Sequence, residues 1–160
     1  MMILFFVLTA LLAGVDQLTK YFAADNLTLG SSVKLISLGG KDILKFSLFH
    51  NTGAAFSSFE GQTIMLSGFT FLLIGAIVFY VLKFKPDSKA VMICMALIAG
   101  GGIGNLIDRI RLGYVTDYII LWPFSFVFNF ADICVVFGAI ILLLYYLLCE
   151  IRESGKNGRK

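Results

Sequence analysis

The side chains best suited to chemistry gather between Ala99 and Asp132. An apolar run passes through Gly100-Gly101-Gly102-Ile103-Gly104-Asn105 and ends at Asp108 and Arg109. A short loop then holds Asp117, and a second apolar run opens just before Asp132. Two long hydrophobic segments therefore bring carboxylates to nearly the same depth on one side. Two nearby carboxylates cannot both ionise easily, so such a pair can share one proton and activate water. The stretch reads as the centre of a membrane-embedded hydrolase, with Asp117 and Asp132 as its working groups.

Other chemistries fit less well. His50 is the sole histidine, and no His-Glu-x-x-His pattern exists, so a zinc hydrolase lacks its ligands. Cys94, Cys134 and Cys149 lie in apolar segments and are odd in number, which suits packing thiols better than a disulfide set or a thiol nucleophile. No serine stands in a nucleophile-elbow context. No metal or cofactor is expected.

Several residues are candidates to support the aspartates, each with a plainer alternative. Asp16 and Lys20 stand at i, i+4, the spacing of an ordinary helix-end ion pair worth a few tenths of a kcal/mol. Asn105, Asp108 and Arg109 share a face at i, i+3, i+4; they form either a solvated helix end or, with Asp117, a polar network whose members order one another. Asn129 can N-cap the last apolar segment, with Asp132 at its third position favoured by the helix dipole. That cap and a chemical role for Asp132 are compatible. Asn51, in Asn51-Thr52-Gly53-Ala54-Ala55-Phe56, either belongs to a turn or donates hydrogen bonds into the site. Ala96, Gly100 and Gly104 recur every four residues, which favours close helix packing; a phosphate loop would need a Lys-Ser or Lys-Thr.

The elements that position these groups follow from composition. Of 160 residues, 59% are hydrophobic and 14% charged, against about 45–50% and about 25% in soluble domains. The excess comes in four blocks close to the roughly 20 residues of a spanning helix. They fall at about 2–22, 63–84, 90–107 and 130–148, in one polytopic domain. A cleavable leader is the rival reading of the first block, but no Lys or Arg precedes Lys20. The loops at about 25–61 and 108–129 are expected outside the cytoplasm. In the first, Val33–Leu38 and Leu44–His50 read as short strands around the turn residues Gly39-Gly40-Lys41-Asp42, giving a small sheet at the membrane surface. In the second, Trp122-Pro123 and Phe124, Phe126 and Phe128 suit an interface belt. The tail from Glu150 is polar, basic and expected to fray.

Lys83, Lys85 and Lys89 between the second and third blocks, with Arg152, Lys156, Arg159 and Lys160 in the tail, put both termini in the cytoplasm. Lys20, Arg109 and Arg111 weaken that bias. With this topology Asp16, Asp108, Asp117 and Asp132 all converge on the outer membrane surface, and the inner halves of the spans carry no ionisable group. Asp108 is expected just beyond the end of the third span. The net charge of +3 gives no reason to expect a nucleic-acid partner.

Taken together, the blocks D-Q-L-T-K (Asp16–Lys20), N-T-G-A-A-F (Asn51–Phe56), G-N-L-I-D-R (Gly104–Arg109), V-T-D (Val115–Asp117) and F-N-F-A-D (Phe128–Asp132) resemble bacterial lipoprotein signal peptidases, the signal peptidase II family. The resemblance covers nearly the whole chain. It implies catalytic aspartates at Asp117 and Asp132, with Asp16, Lys20, Asn51, Asn105, Asp108, Arg109 and Asn129 in support. It further implies an aspartic endopeptidase of the bacterial cytoplasmic membrane, acting as a monomer on prolipoproteins and cutting before a diacylglyceryl-modified cysteine. Membrane lipid would be its other partner. The rivals from other classes are a small proton-coupled transporter and an assembly protein pairing through its glycine face. Transporters place binding groups at the midplane in broken helices, unlike the one-sided distribution here.

Overall fold

A computed structural model describes residues 1–53, 63–124 and 126–157, the side chains at 153 and 155–157 excepted. Ala54, Ala55 and Phe56 of the second motif block, and Arg159 and Lys160 of the tail, lie outside the described residues. Four helices account for the apolar blocks: α1 (Met2–Asn26), α2 (Thr63–Phe84), α3 (Lys89–Leu112) and α4 (Phe130–Asn157). Three strands make one antiparallel sheet in the order β1 (Ser32–Leu38), β2 (Lys41–Asn51), β3 (Val115–Leu121).

All four helices are long and apolar enough to cross a membrane. Their outward faces make the same point. Ile3, Leu11, Ile64, Phe69, Phe71 and Leu143 are each at least half exposed. Water would not tolerate apolar surface on that scale, whereas lipid tails match it. The chain is a multi-pass membrane protein.

α3 is the centre of the bundle. Over half of its most apolar stretch is buried, against 6% for α2. It packs against α1, α2 and α4. Its small residues permit this: a Cβ on Gly100 would stand 2.8 Å from Leu12 Cβ and 3.0 Å from the Thr9 carbonyl oxygen. One on Gly104 would collide with the Asp16 carboxylate. The Ala96/Gly100/Gly104 stripe is therefore a packing face for α1. A hydrophobic cluster that includes Phe5, Ile77, Val81, Met92, Met95 and Ala99 fills one end of the bundle. The polar groups occupy the other.

Three elements differ from the sequence expectation. α3 runs on to Leu112 and stops at Gly113, whose φ of 81° is the left-handed conformation glycine adopts without strain. Asp108 and Arg109 therefore sit inside the helix, not beyond it; Arg109 and Arg111 in the last turn suit the negative end of its dipole. Asp117 stands on β3, not in an irregular loop, because β3 pairs with β2 from Leu44↔Leu121 to Asn51↔Val115. The tail does not fray at Glu150: α4 stays helical to Asn157.

Candidate active site

α1 contributes Asp16, Gln17 and Lys20, and the pair whose spacing suggested an ordinary helix-end ion pair is deeply buried. Asp16 is 0% exposed and Lys20 3%. Lys20 Nζ lies 2.8 Å from Asp16 Oδ2, 3.2 Å from Asp108 Oδ2 and 2.8 Å from Asn105 Oδ1. An ammonium has three N–H bonds and no acceptor, so every donor is used. The two carboxylates in turn tie the fold together. Asp16 Oδ1 accepts the backbone N–H of Ala131 at 2.9 Å, pinning the first turn of α4 to α1. Asp108 Oδ2 accepts that of Thr116 at 2.9 Å, pinning β3 to α3. Gln17 Nε2 donates to Asp108 Oδ1 at 2.9 Å and to the Gly104 carbonyl at 3.1 Å.

The lysine also orients two amides. Lys20 can only donate, so Asn105 must turn its oxygen toward it. That oxygen also accepts from Asn129 Nδ2 at 3.1 Å. Asn105 Nδ2 is thereby aimed at Asp132 Oδ1, 2.8 Å away. Asn129 is fixed by the same logic. Its Oδ1 accepts the backbone N–H of Asp132 at 2.9 Å, and its own backbone N–H donates to Asp132 Oδ2 at 3.2 Å. The cap by Asn129 is the one read from the sequence; the return bond to Asp132, which makes it reciprocal, is not. Asn129 Nδ2 is left to donate to Asp117 Oδ1 at 2.6 Å.

β2 supplies the remaining donor. Asn51, opposite Val115, donates from Nδ2 to Asp117 Oδ2 at 2.8 Å while its Oδ1 accepts from Gly53 N at 2.9 Å. Both oxygens of Asp117 thus receive an amide N–H. Arg109 Nη2 reaches the Gly53 carbonyl at 3.4 Å. Of the nine residues singled out from sequence, eight are joined through these contacts. Arg109 stands beside them on the wall of the same cavity.

That cavity has a volume of about 920 Å³. Asn51, Asn105, Arg109, Asp117 and Asp132 make its polar wall. Leu73 of α2, Ile98 and Gly102 of α3, and Val135 and Val136 of α4 make the apolar remainder. Phe49, directly opposite Asp117 in the sheet, and Phe128 also line it. Apolar walls with a few convergent polar groups are the usual form of a binding site.

Burial is the largest influence on Asp117, which is 2% exposed. Together with the neighbouring charge of Asp132, it outweighs the Asn51 and Asn129 donors and pushes the carboxyl up to about 7. Asp117 can therefore hold a proton near neutral pH, while Asp132 sits at the positive end of α4 with two N–H donors. One buried acid and one supported carboxylate facing a common cavity can perform acid–base hydrolysis.

Two contributors were not singled out from sequence. Gln17 stood inside the D-Q-L-T-K block, one residue from Asp16, with nothing in its spacing to announce a bond to Asp108. β3 had a signal: Val115-Thr116-Asp117-Tyr118-Ile119-Ile120-Leu121 is rich in β-branched residues.

Comparison with known proteins gives a consistent result. The family model described as signal peptidase (SPase) II matches residues 8–148. The lipoprotein signal peptidase of Clostridium acetobutylicum is 37% identical over 149 residues, covering 89% of this chain and 92% of that one. That of Enterococcus faecalis is 34% identical over 160 residues, covering 99% and 97%. Among solved structures, a bacterial membrane enzyme determined by the in meso method at 2.3 Å resolution superimposes with a TM-score of 0.81 at 26% identity. It covers 89% of this chain and 87% of its own. A second, at 1.9 Å resolution, gives 0.78 at 26% identity, covering 89% and 92%.

Proposed function

The chain belongs to the signal peptidase II family, and on that footing we propose that it removes signal peptides from prolipoproteins, with Asp117 and Asp132 as the catalytic pair. The observation that carries the assignment is the position of Asn129, whose side-chain amide donates to the Asp117 carboxylate and whose backbone N–H donates to that of Asp132, beside a cavity that both aspartates line. The transporter reading is not favoured: the membership is in a peptidase family, and the buried charged groups Asp16, Lys20, Asp108 and Asp117 gather at one end of the bundle.

In this reading a water lies between the carboxylates and the scissile peptide carbonyl. Asp132, ionised, takes a proton from the water as its oxygen attacks the carbonyl carbon. Asp117, protonated, gives its proton to the carbonyl oxygen. The tetrahedral intermediate then collapses: the proton on Asp132 passes to the departing amine nitrogen, the C–N bond breaks, and a hydroxyl proton returns to Asp117. The pair ends as it began, with one proton between its members. The orientation set by Lys20 supports these roles, because it aims the Asn105 amide at Asp132 Oδ1 and so fixes that carboxylate on the cavity wall. Arg109, on the cavity wall, is suited to stabilise the developing oxyanion.

The substrate in this reading carries a diacylglyceryl-modified cysteine just after the scissile bond. The apolar part of the cavity, lined in part by Leu73 of lipid-facing α2, suits acyl and signal-peptide chains that stay in the bilayer. The enzyme would sit in the bacterial cytoplasmic membrane with both termini inside, as Lys83 at the end of α2, Lys85 in the turn and Lys89 at the start of α3 favour. The sheet and the site then lie at the outer face. Purified protein in detergent, given a lipid-modified precursor peptide, should cleave it before the modified cysteine without an ion gradient or partner. Failure under those conditions would remove the peptidase reading for this chain.

A further inference from the structure

The β1–β2 hairpin carries a surface that hydrolysis does not use. All seven residues of β1 are exposed, and four are apolar: Val33, Leu35, Ile36 and Leu38, from 47% to 70% exposed. Such surface on a short edge strand would be an aggregation hazard in water. The hairpin is held close to the bilayer, since β1 starts at Ser32 and the spanning helix α1 ends at Asn26. Its charge is one-sided. Lys34, Lys41 and Lys45 stand against the single carboxylate Asp42, which pairs with Lys34 at 3.0 Å. Trp122, half exposed, follows β3 and donates its backbone N–H to the Ile43 carbonyl. The Lys41 ammonium lies 4.7 Å over its ring.

Exposed aliphatic side chains, an amphipathic indole and surplus lysines on one element are what an anionic bilayer surface recognises. Apolar groups enter the acyl boundary, the indole sits at headgroup level, and lysines meet lipid phosphates. We propose that the β1–β2 hairpin, with Trp122, docks on anionic phospholipid headgroups of the adjoining leaflet. β2 pairs with β3, which bears Asp117, so docking also steadies the strand that carries the site. The inference does not depend on which leaflet is involved, or on the peptidase reading.

Trp122 is the only tryptophan in the chain, so its fluorescence reports on this surface alone. The full-length protein is reconstituted in vesicles of phosphatidylcholine, and of phosphatidylcholine mixed with phosphatidylglycerol, each with bromine-labelled acyl chains as quencher. Emission should be bluer and more strongly quenched with phosphatidylglycerol, and added salt should reduce the difference. Each lysine contributes about a fivefold change in the docked-to-undocked ratio. K34E/K41E/K45E should therefore show the same emission and quenching in both lipids, whatever constant offset the loss of Lys41 from the indole face gives its spectra. Free glycerol phosphate added to phosphatidylcholine vesicles should have no effect. Identical wild-type spectra in both lipids, a response retained by the triple variant, or a response reproduced by glycerol phosphate would each overturn the proposal. Cleavage of a precursor peptide is a separate assay, so failure of either reading is seen without the other.

Discussion

Asn129 bonds to both members of the aspartate pair: its Nδ2 donates to Asp117 Oδ1 at 2.6 Å, and its Oδ1 accepts from the backbone N–H of Asp132 at 2.9 Å. The same side chain caps α4 and links the Asp117 carboxylate, on a strand, to the first turn of the helix that carries Asp132. Cap and linkage can be separated. Asn129→Ser keeps a good capping oxygen but loses the buried amide donor, so stability should fall by about 1–3 kcal/mol while the helix start is kept. Turnover by the folded variant should fall about 10- to 100-fold, the effect of losing a hydrogen bond to a charged or reacting group. Melting and cleavage rate, measured on one preparation, check this. Wild-type turnover by the folded variant would make Asn129 a cap only.

Lys20 should matter more for folding than an i, i+4 pair on a surface would. Lys20→Met leaves Asp16 and Asp108 buried without their cation. Breaking a buried pair by removing one partner costs about 3–5 kcal/mol. The double variant Lys20→Met/Asp16→Asn should recover part of that loss, because the amide oxygen introduced on α1 can still accept from Ala131 N and one unpaired charge is gone. A double-mutant cycle on thermal unfolding in detergent measures the coupling. Additive losses would contradict the network.

Gly104 is the place where α1 and α3 come too close for a side chain. Gly104→Ala pushes a methyl into the Asp16 carboxylate, and overpacking of this kind typically costs about 1–3 kcal/mol. Asp16 holds Ala131 N at the start of α4, so cleavage should drop together with stability. Gly14→Ala is the control: a Cβ there has nothing within 4 Å and should alter neither.

The pH dependence follows from Asp117. Its carboxyl is raised from 3.8 to about 7, chiefly by burial and then by the charge of Asp132. Between those values the folded state binds the extra proton, so this group's stabilising contribution is complete below 3.8 and disappears as pH rises through about 7. Asp117→Asn should therefore flatten the stability profile across that window and lose less stability than wild type toward alkaline pH. Cleavage by the wild type should decline above about 7, with apparent values that belong to the pair. A rate that keeps rising beyond about pH 8 would contradict Asp117 as the proton holder.

Much of the site could be read from residue types because membranes make ionisable groups expensive. Asp16, Lys20, Asp108 and Asp132 stood out against apolar runs, and helical spacing put Asn105, Asp108 and Arg109 on one face. The helix N-cap at Asn129 was legible for the same reason, since capping is local. The bonds between elements were not. Nothing in the spacing shows that Asp16 reaches Ala131, 115 positions away, or that Gln17 meets Asp108. β3 was missed despite its β-branched run, because the pairing that fixes this seven-residue strand is with β2, more than 60 positions earlier. The extension of α3 past Asp108 was hidden by charge: arginines at a helix C-terminus look like the start of a loop until Gly113 is recognised as the cap.

The most direct test is a single-turnover cleavage assay with Asp117→Asn and Asp132→Asn, each purified, folded and given a lipid-modified precursor peptide. Both variants should insert and accumulate normally and lose about 10³-fold or more in rate, the scale of a lost general acid or base. A rate near that of the wild type in either one would show that the two carboxylates do not act as a pair.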